Sequence, residues 1–229
     1  MRVLIIIPAY NESGNIERVV DNLTANFPQY DYIVINDGSA DDTVGICRKN
    51  GYRFIDLPVN LGLAGAFQTG MRYGYMQGYD AVIQIDGDGQ HDPVYIAPMV
   101  DKMKETGVDI VLGSRFFEKK KPLGLRMLGS RLIGLAIRIS TFKKISDPTS
   151  GLRLFNHSVL EKFAYRVNFG PEPDTVAYLL KSGATTSEIQ VDMHERVAGK
   201  SYLTITKSMQ YMMRMVLSIL LIQHFRKRG

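Results

Sequence analysis

Two carboxylates and an amide alternate in the segment Asp86-Gly87-Asp88-Gly89-Gln90, directly after an apolar run. Side chains two residues apart in an extended chain point the same way, so these three groups can converge on one point. Their oxygen atoms are the ligands that Mg²⁺ or Mn²⁺ prefers, and such ions usually take phosphate oxygens as well. A solvated acidic turn is the alternative, but the apolar run and Gln90 favour a metal site.

A second candidate cluster lies in a basic stretch of the chain. Every fourth residue there falls on one stripe of a predicted helix, at Arg126, Ser130, Gly134 and Arg138. Apolar residues form a neighbouring stripe, at Leu128, Leu132, Leu135 and Ile139. The spacing allows Arg126 and Ser130 to face a single phosphate group. The alternative is a surface helix whose basic face is solvated or lies against anionic lipid.

The pattern of apolar runs predicts the elements that position these groups. Short apolar, β-branched runs predict strands over residues 3–7, 32–35, 81–85, 109–112, 152–155 and 187–191. Helical periodicity predicts helices over residues 15–27, 42–50, 63–77, 93–105, 123–142, 174–181 and 202–225. Alternating strands and helices indicate an α/β protein with a mostly parallel sheet flanked by helices. Ligands bind such sheets at the carboxyl ends of the strands, where the polar clusters of this chain fall.

The composition excludes several classes of protein. The chain has 229 residues, of which 45% are hydrophobic and 22% charged, as in an ordinary globular protein. Cys47 is the single cysteine and cannot form an internal disulfide. We expect a cytoplasmic location, since the first residues do not resemble a secretion signal. The sequence has no GxxxxGK[ST] segment and no GxGxxG after the first predicted strand, which argues against kinases, GTPases and dinucleotide-binding enzymes.

The net charge of +5 conceals strong local differences. From Arg115 to Arg153 there are ten basic and two acidic residues, and from Arg196 to Gly229 there are seven basic residues and no acidic one. The remainder of the chain is therefore acidic. The two basic stretches favour a polyanionic partner, such as phosphate or an anionic membrane. We expect no nucleic-acid partner, because acidic clusters occupy the ends of the predicted strands.

Short motifs follow the predicted strands in a fixed order. They are Pro8-Ala9-Tyr10-Asn11-Glu12, Asn36-Asp37-Gly38-Ser39, Asn60-Leu61-Gly62, Asp86-Gly87-Asp88, Gly113-Ser114-Arg115 and Asp147-Pro148-Thr149-Ser150-Gly151-Leu152-Arg153. This set resembles the family 2 glycosyltransferases, which have the Rossmann-like GT-A fold. Within the family it most resembles dolichyl-phosphate mannose synthases and bacterial polyprenyl-phosphate glycosyltransferases. The resemblance covers nearly the whole chain and implies direct displacement with inversion at the sugar.

The resemblance implies a role for each matching residue. The nucleotide sugar, a UDP- or GDP-sugar, would be bound by Pro8, Ala9, Tyr10, Glu12, Asp37, Asp86, Gly87, Arg196 and Lys200. Asp86, Asp88 and Gln90 would hold Mg²⁺ or Mn²⁺ at the diphosphate. Near Lys200 the chain departs from the family pattern, which has a lysine after the serine where this chain has Tyr202.

The resemblance also implies an acceptor site and a catalytic set. Asp86, Asp88 and Arg115 would be catalytic. The acceptor, a polyprenyl phosphate such as undecaprenyl or dolichyl phosphate, would be bound by Arg115, Arg126, Ser130, Arg131, Ser150 and Arg153. The product would be a lipid-linked sugar donor for cell-envelope polysaccharide or glycoconjugate synthesis.

The chemistry of the acceptor leaves an alternative open. A sugar hydroxyl, with a pKa on the order of 15 like water, needs a general base. A phosphate monoester has a second pKa of about 6 and is already anionic, so it needs positioning and positive charge. The concentrated arginines favour phosphate, whereas Glu172 or Asp174 could act as the base for a saccharide hydroxyl. Asp174 could equally be a helix N-cap. A noncatalytic subunit of a membrane glycosylation complex is the alternative of another class.

The end of the chain is predicted to contact a membrane or a partner. Only eight residues, 215–222, separate Arg214 from Gln223, whereas a membrane-spanning helix needs about 20 apolar residues. We therefore expect a glycosyltransferase domain over residues 1–202 and an amphipathic helix over residues 203–229. The helix would dock on the membrane surface, a small membrane protein or a second copy, which places the protein peripherally at the inner face of the membrane.

Overall fold

A computed structural model describes residues 1–122, 124–166, 168–193 and 205–222, without the side chains of residues 125, 126, 205–207 and 222. The described strands are β1 (Val3–Ala9), β2 (Asp31–Asn36), β3 (Phe54–Asp56), β4 (Ala81–Gln84), β5 (Ile110–Ser114), β6 (Arg153–Asn156) and β7 (Thr186–Gln190). The described helices are α1 (Ile16–Asn26), α2 (Thr43–Lys49), α3 (Gly62–Met76), α4 (Ile96–Thr106), α5 (Leu125–Thr141), α6 (His157–Tyr165), α7 (Pro173–Lys181) and α8 (Ile205–Leu217). A 3-10 turn at Pro93–Tyr95 precedes α4, and a π-helical turn at Ser218–Ile222 follows α8.

The described strands form one sheet in the order β3-β2-β1-β4-β6-β5-β7. All neighbours pair in parallel except β6, which runs antiparallel between β4 and β5. The predicted α/β class with a mostly parallel sheet is confirmed, while the reversed strand was not predicted. Arg153, the first residue of β6, pairs with Gln84, the last residue of β4, and with Leu112 in the middle of β5. The reversal therefore brings the loop before β6 to the carboxyl edge of the parallel strands.

Both faces of the sheet are buried, which explains the continuous apolar runs in its strands. Leu4 and Ile6 of β1 face a core formed with α3, α5, α6, α7 and α8. Val3, Ile5 and Ile7 face a second core formed with α1, α2 and α4. Met215 of α8 is fully buried in the first core, so this helix packs onto the sheet domain. The predicted division near residue 202 stays a prediction, because residues 194–204 lie outside the description.

Two elements were absent from the sequence prediction. β3 has only three residues, too few for a clear apolar run. Helix α6 begins directly after β6, with no polar linker between them. Its start is fixed by the Asn156 side chain, which accepts a hydrogen bond from the backbone N–H of Val159.

Helix α5 forms where the sequence predicts it, but its apolar stripe faces outward. Leu128, Leu132, Leu135 and Ile139 are each at least half exposed. The core contacts come instead from Ile133, Ala136 and Ile137, all buried. The polar stripe of α5 turns partly toward the protein, since Ser130 is 1% exposed. No helix in the described part of the chain is both long and apolar enough to cross a bilayer.

Helix α3 lies unusually close to the sheet at Gly74. A Cβ atom added there would come within 2.4 Å of a Val82 methyl group of β4. In α5, a Cβ atom added at Gly134 would meet its nearest neighbour at an ordinary 3.6 Å. The two helical glycines therefore differ in the space beside them.

Replacing these glycines should have opposite effects on stability. We expect Gly74→Ala to lower the free energy of unfolding by about 1 to 3 kcal/mol through overpacking. Gly134→Ala should raise it by about 0.5 to 1 kcal/mol, the helix-propensity gain of alanine over glycine. Urea denaturation of the two variants measures both values. A Gly74→Ala variant as stable as Gly134→Ala would contradict the close packing of α3 on β4.

Candidate active site

A cavity of about 450 Å³ opens at the carboxyl edge of β1, β2 and β4. It is lined by Pro8, Ala9, Tyr10, Glu12, Asp37, Asn60, Gly62, Leu63, Ala66, Asp86, Gly87 and Asp88. Seven of these were predicted to bind the nucleotide, so the structure brings together all the predicted nucleotide-binding residues that it describes. Arg196 and Lys200 lie outside the described residues.

The floor of this cavity is held by loops that cross between strand ends. Asp37 is 3% exposed, donates from its backbone N–H to the Ala9 carbonyl, and accepts from the Leu61 N–H at 2.7 Å. Gly38 next to it has φ +64°, and a Cβ atom there would lie 2.6 Å from the Asn60 nitrogen. Only glycine permits this approach, which brings the 59–61 loop against Asp37.

The acidic segment after β4 is held from three sides. Gln84 donates from Nε2 to Asp86 Oδ1 at 2.7 Å, and the Gln90 N–H donates to Asp88 Oδ1 at 3.0 Å. His91 is 2% exposed, and its Nδ1 accepts from the Asp86 N–H at 3.2 Å. These contacts fix the orientation of both carboxylates before any ligand binds.

The donor set fits a divalent cation that is shared with a diphosphate. Asp86 and Asp88 supply carboxylate oxygens and Gln90 an amide oxygen, close together after one strand. No group of three His, Cys, Asp or Glu side chains in the described part of the chain is arranged to hold a metal by itself. Mg²⁺ and Mn²⁺ sites of this type use one or two carboxylates and complete the shell with phosphate oxygens and water.

A second, larger cavity of about 830 Å³ lies on the other side of Asp86. Its lining includes Gln84, Asp86, Gln90, His91, Arg115, Phe116, Thr149, Gly151, Glu172 and Tyr211. Asp86 thus lines both cavities.

Arg115 and Asp147 form a bidentate ion pair beside the second cavity. Arg115 donates from Nε at 2.6 Å and from a terminal nitrogen at 3.0 Å to the two carboxylate oxygens. The same terminal nitrogen donates to Thr149 Oγ1 at 3.2 Å. Burial alone would raise the pKa of Asp147, but the hydrogen bonds and charge of Arg115 outweigh burial and lower it. The pair ties the end of β5 to the loop before β6.

Hydroxyl groups and a lysine extend this cluster. Ser130 Oγ lies 3.5 Å from Thr149 Oγ1 and accepts from Lys121 Nζ at 2.9 Å. Arg131 is exposed and donates to the Lys121 carbonyl at 3.0 Å, so it holds the backbone of that segment. The side chain of Arg126, predicted to face the same phosphate as Ser130, lies outside the description.

Two predicted acceptor residues lie beneath the loop rather than on the cavity wall. Arg153 is 2% exposed and donates to the carbonyls of Ser150, Glu172 and Pro148 at 3.0 to 3.1 Å. Ser150 is also 2% exposed and accepts from the Leu152 N–H. The structure therefore gives both residues a positioning role: they fix the shape of the loop that carries Thr149.

The two acidic residues near the start of α7 are both engaged by the terminal helix. Glu172 lines the second cavity, and its carboxylate accepts from the Tyr211 hydroxyl of α8. Asp174 is 8% exposed and accepts from Ser218 Oγ at 2.6 Å. Glu172, not Asp174, occupies the N-cap position of α7. Burial and the adjacent charge of Glu172 raise the pKa of Tyr211.

Four residues at the site were not predicted from the sequence. Gln84 and His91 support Asp86, Lys121 joins Ser130, and Tyr211 contacts Glu172. Gln84 could have been found, because it lies two residues before Asp86 on the same side of a strand. Tyr211 and Glu172 are 39 residues apart, so no local pattern indicates their contact. Lys121 lies nine residues before Ser130 and outside α5, so helical periodicity does not indicate that contact either.

Comparison with known proteins identifies the family. The model of glycosyl transferase family 2 matches residues 4–164. The chain belongs to this family. The match includes the first cavity, the acidic segment, Arg115 and the loop that ends at Arg153.

Individual relatives support the same assignment. The chain is 27% identical over 217 residues to the polyprenol monophosphomannose synthase of Mycolicibacterium smegmatis, covering 87% of this chain and 80% of that protein. It is 31% identical over 180 residues to the UDP-N-acetylglucosamine–dolichyl-phosphate N-acetylglucosaminyltransferase of Methanococcus voltae, covering 69% and 71%. A structure of glucosyl-3-phosphoglycerate synthase from Mycobacterium tuberculosis superposes with a TM-score of 0.70 at 19% identity, covering 99% of this chain and 80% of that one. The predicted GT-A fold is confirmed.

The Arg115–Asp147 pair should make stability depend on pH. The pKa of Asp147 is below its ordinary value of 3.8, so the pair stabilises the fold above pH 3.8 and loses this contribution as the pH falls through the lowered pKa. We expect Asp147→Asn to lower the free energy of unfolding near neutral pH by about 2 to 3 kcal/mol, as for a hydrogen-bonded charged group. The difference from the wild type should shrink below pH 3.8.

Denaturant unfolding at neutral and acidic pH measures this effect. Asp101→Asn is the matched control, because the Asp101–Lys104 pair is exposed and contributes little. A stability loss in Asp147→Asn that does not shrink at low pH would contradict the role of the ion pair.

Proposed function

We propose that the protein transfers a sugar from a UDP- or GDP-sugar to the phosphate of a polyprenyl phosphate, with inversion at the anomeric carbon. One observation carries the choice of acceptor. The donors of Arg115, Thr149 and Ser130 are joined in one cluster beside the second cavity. Both nearby carboxylates, in contrast, already accept hydrogen bonds from α8 and the π-helical turn that follows it. A phosphate acceptor needs such donors and no base. The names of the relatives support the same choice.

The nucleotide would occupy the first cavity and the acceptor the second. Asp37 would accept a hydrogen bond from the base, while Tyr10, which is 41% exposed, offers an aromatic face to the nucleoside. Asp86 separates the two cavities, so the anomeric carbon would lie beside it. A phosphate oxygen held by the Arg115 cluster would then attack from the side opposite the departing diphosphate.

The leaving group would depart near the acidic segment. Asp86, Asp88 and Gln90 would hold Mg²⁺ or Mn²⁺. A bound ion would neutralise the negative charge that develops on the departing diphosphate. Gln84 and His91 would keep the Asp86 carboxylate and backbone in place during this step. Arg196 and Lys200 would complete the diphosphate contacts.

A direct test uses the acceptor and one metal ligand. Wild-type protein with Mg²⁺ and a panel of radiolabelled UDP- and GDP-sugars should form a labelled glycolipid with undecaprenyl phosphate but not with undecaprenol, which lacks the phosphate. Asp88→Ala should reduce transfer by about 100-fold or more, because the charge on the leaving group is no longer neutralised. Excess Mn²⁺ should restore activity to wild-type protein treated with EDTA but not to the variant. Efficient labelling of a soluble saccharide without any labelled glycolipid would contradict the proposal.

We further propose that the protein docks on the cytoplasmic face of the membrane through α5 and α8. The exposed stripe of α5 continues into a second exposed stripe on α8, formed by Met209, Met213, Leu217 and Leu221. Gly129 lets the helices meet closely, since a Cβ atom there would overlap the Met212 sulfur. The groove between them is almost entirely apolar. Exposed basic residues lie on the same two helices or just after α5, at Arg131, Arg138, Lys143, Lys144 and Arg214.

An apolar surface accompanied by basic residues suits an anionic bilayer, which takes up apolar side chains and attracts the cations. Ser130 lies on the same helix α5, so docking would bring the cluster of Arg115, Thr149 and Ser130 close to the lipid headgroups. A small membrane protein or a second copy of the chain are the alternative occupants.

Charge placed on this surface should weaken membrane binding. We expect Leu132→Glu and Met213→Glu each to reduce co-sedimentation with phosphatidylglycerol-containing vesicles by about tenfold, because each inserts a carboxylate among apolar contacts. Met76→Glu is the matched control, since Met76 is 77% exposed at the end of α3. Unchanged vesicle binding by both variants, or a second-copy interface detected by light scattering, would contradict docking on lipid.

A further inference from the structure

The charge of Arg115 is already compensated before an acceptor binds. Asp147 is fully buried and takes two hydrogen bonds from the guanidinium. An ion pair with this geometry has little net charge to offer a further anion. A phosphate monoester carries a charge of about −1.5 to −2 near neutral pH, so the acceptor site needs another cation.

Lys121 is in a position to be that cation. Its Nζ donates to Ser130 Oγ at 2.9 Å, and Ser130 in turn lies against Thr149, which accepts from Arg115. The ammonium group is half-buried beside the Phe116 ring, 5.7 Å from its centroid. No carboxylate among the described residues lies within ion-pair distance of Lys121. The group therefore differs from Arg115, whose charge is paired.

The neighbouring lysines show that this environment is specific. Lys119 lines the second cavity, but it is 56% exposed and its charge is paired with Asp192, which lines the same cavity; Lys120 is exposed. The guanidinium of Arg131 donates to the backbone carbonyl of Lys121 and so holds the backbone of Lys121, not its side chain. Burial lowers the pKa of Lys121, the negative charge of Asp147 counteracts this effect, and the positive charges of Arg115 and Arg131 lower the pKa further. An anion bound directly at the ammonium group would raise it.

We propose that Lys121 is a ligand of the acceptor phosphate, donating from Nζ beside Ser130 and Thr149. It supplies the positive charge that the pairing of Arg115 with Asp147 removes. The inference rests on the proposed function, because it assigns a further residue to the acceptor site. The chemistry recognised is a phosphate monoester, which could belong to a lipid or to a soluble molecule.

Steady-state kinetics of the full chain test this role. In Lys121→Met the apparent KM for undecaprenyl phosphate should rise by about tenfold or more, as for the loss of one charge-assisted hydrogen bond. The KM for the nucleotide sugar and its slow hydrolysis without acceptor should not change, because the first cavity is intact. Lys121→Arg should recover part of the loss, and Lys120→Met, the matched control, should behave as wild type. An unchanged acceptor KM in Lys121→Met, or an equal loss in donor binding, would overturn the assignment.

A spectroscopic measurement does not depend on the folding of the methionine variant. Lysines of the wild-type protein are reductively methylated with ¹³C, and the Lys121 signal is assigned by its absence in Lys121→Arg. It should shift on addition of citronellyl phosphate but not of citronellol. No shift with the phosphate would overturn the inference.

The same signal separates this inference from the proposed function. A shift with inorganic phosphate or 3-phosphoglycerate, in a wild-type protein that labels no polyprenyl phosphate, would reject the lipid acceptor and support Lys121 as a phosphate ligand. A wild-type protein that makes glycolipid while the Lys121 signal stays fixed would support the function and reject the role of Lys121.

Discussion

The buried carboxylate of Asp147 constrains the acceptor side of this protein. A carboxylate without exposure to water must be paired, and Arg115 at the end of β5 is the group that pairs with it. The pair joins a parallel strand to the loop before the reversed strand β6. Arg153 supports the same loop from below by donating to three carbonyl groups. Thr149 is thereby held between Arg115 and Ser130, which makes one cluster from three separate parts of the chain.

Asp86 links this cluster to the nucleotide side. The first cavity uses the ends of β1, β2 and β4, and the second uses the ends of β4 and β5 together with the loop before β6. A parallel sheet brings strand ends to one edge, and the single antiparallel strand adds a strand start to that edge. This topology places Asp86 on the wall of both cavities, as the proposed transfer between them requires. The terminal helix contributes to the same site, because Tyr211 of α8 contacts Glu172 on the cavity wall.

Helix α5 presents two different faces, one packed on the core and one exposed. Its core contacts need only Ile133, Ala136 and Ile137, while the more regular leucine stripe stays outside. A helix of an ordinary soluble domain buries its broadest apolar face. The outward leucines, continuous with the methionines of α8, fit a protein that meets a lipid substrate at the bilayer. Ser130 on the inner side of the same helix is then close to where a lipid phosphate would enter.

The sequence by itself determined the α/β class, most strands and helices, the residues that line the first cavity and the acidic segment. These features depend on local periodicity and on the rule that strand ends share one edge of a sheet, so Asp37 and Asp86 could be placed without coordinates. The reversal of β6, the outward face of α5, the burial of Arg153 and the contacts of Lys121 and Tyr211 were decided only by the tertiary structure. Most of these features depend on residues far apart in the chain, whereas Lys121 lies nine residues before Ser130 but outside any periodic element. Apolar periodicity shows that a helix has two faces without showing which of them meets the core.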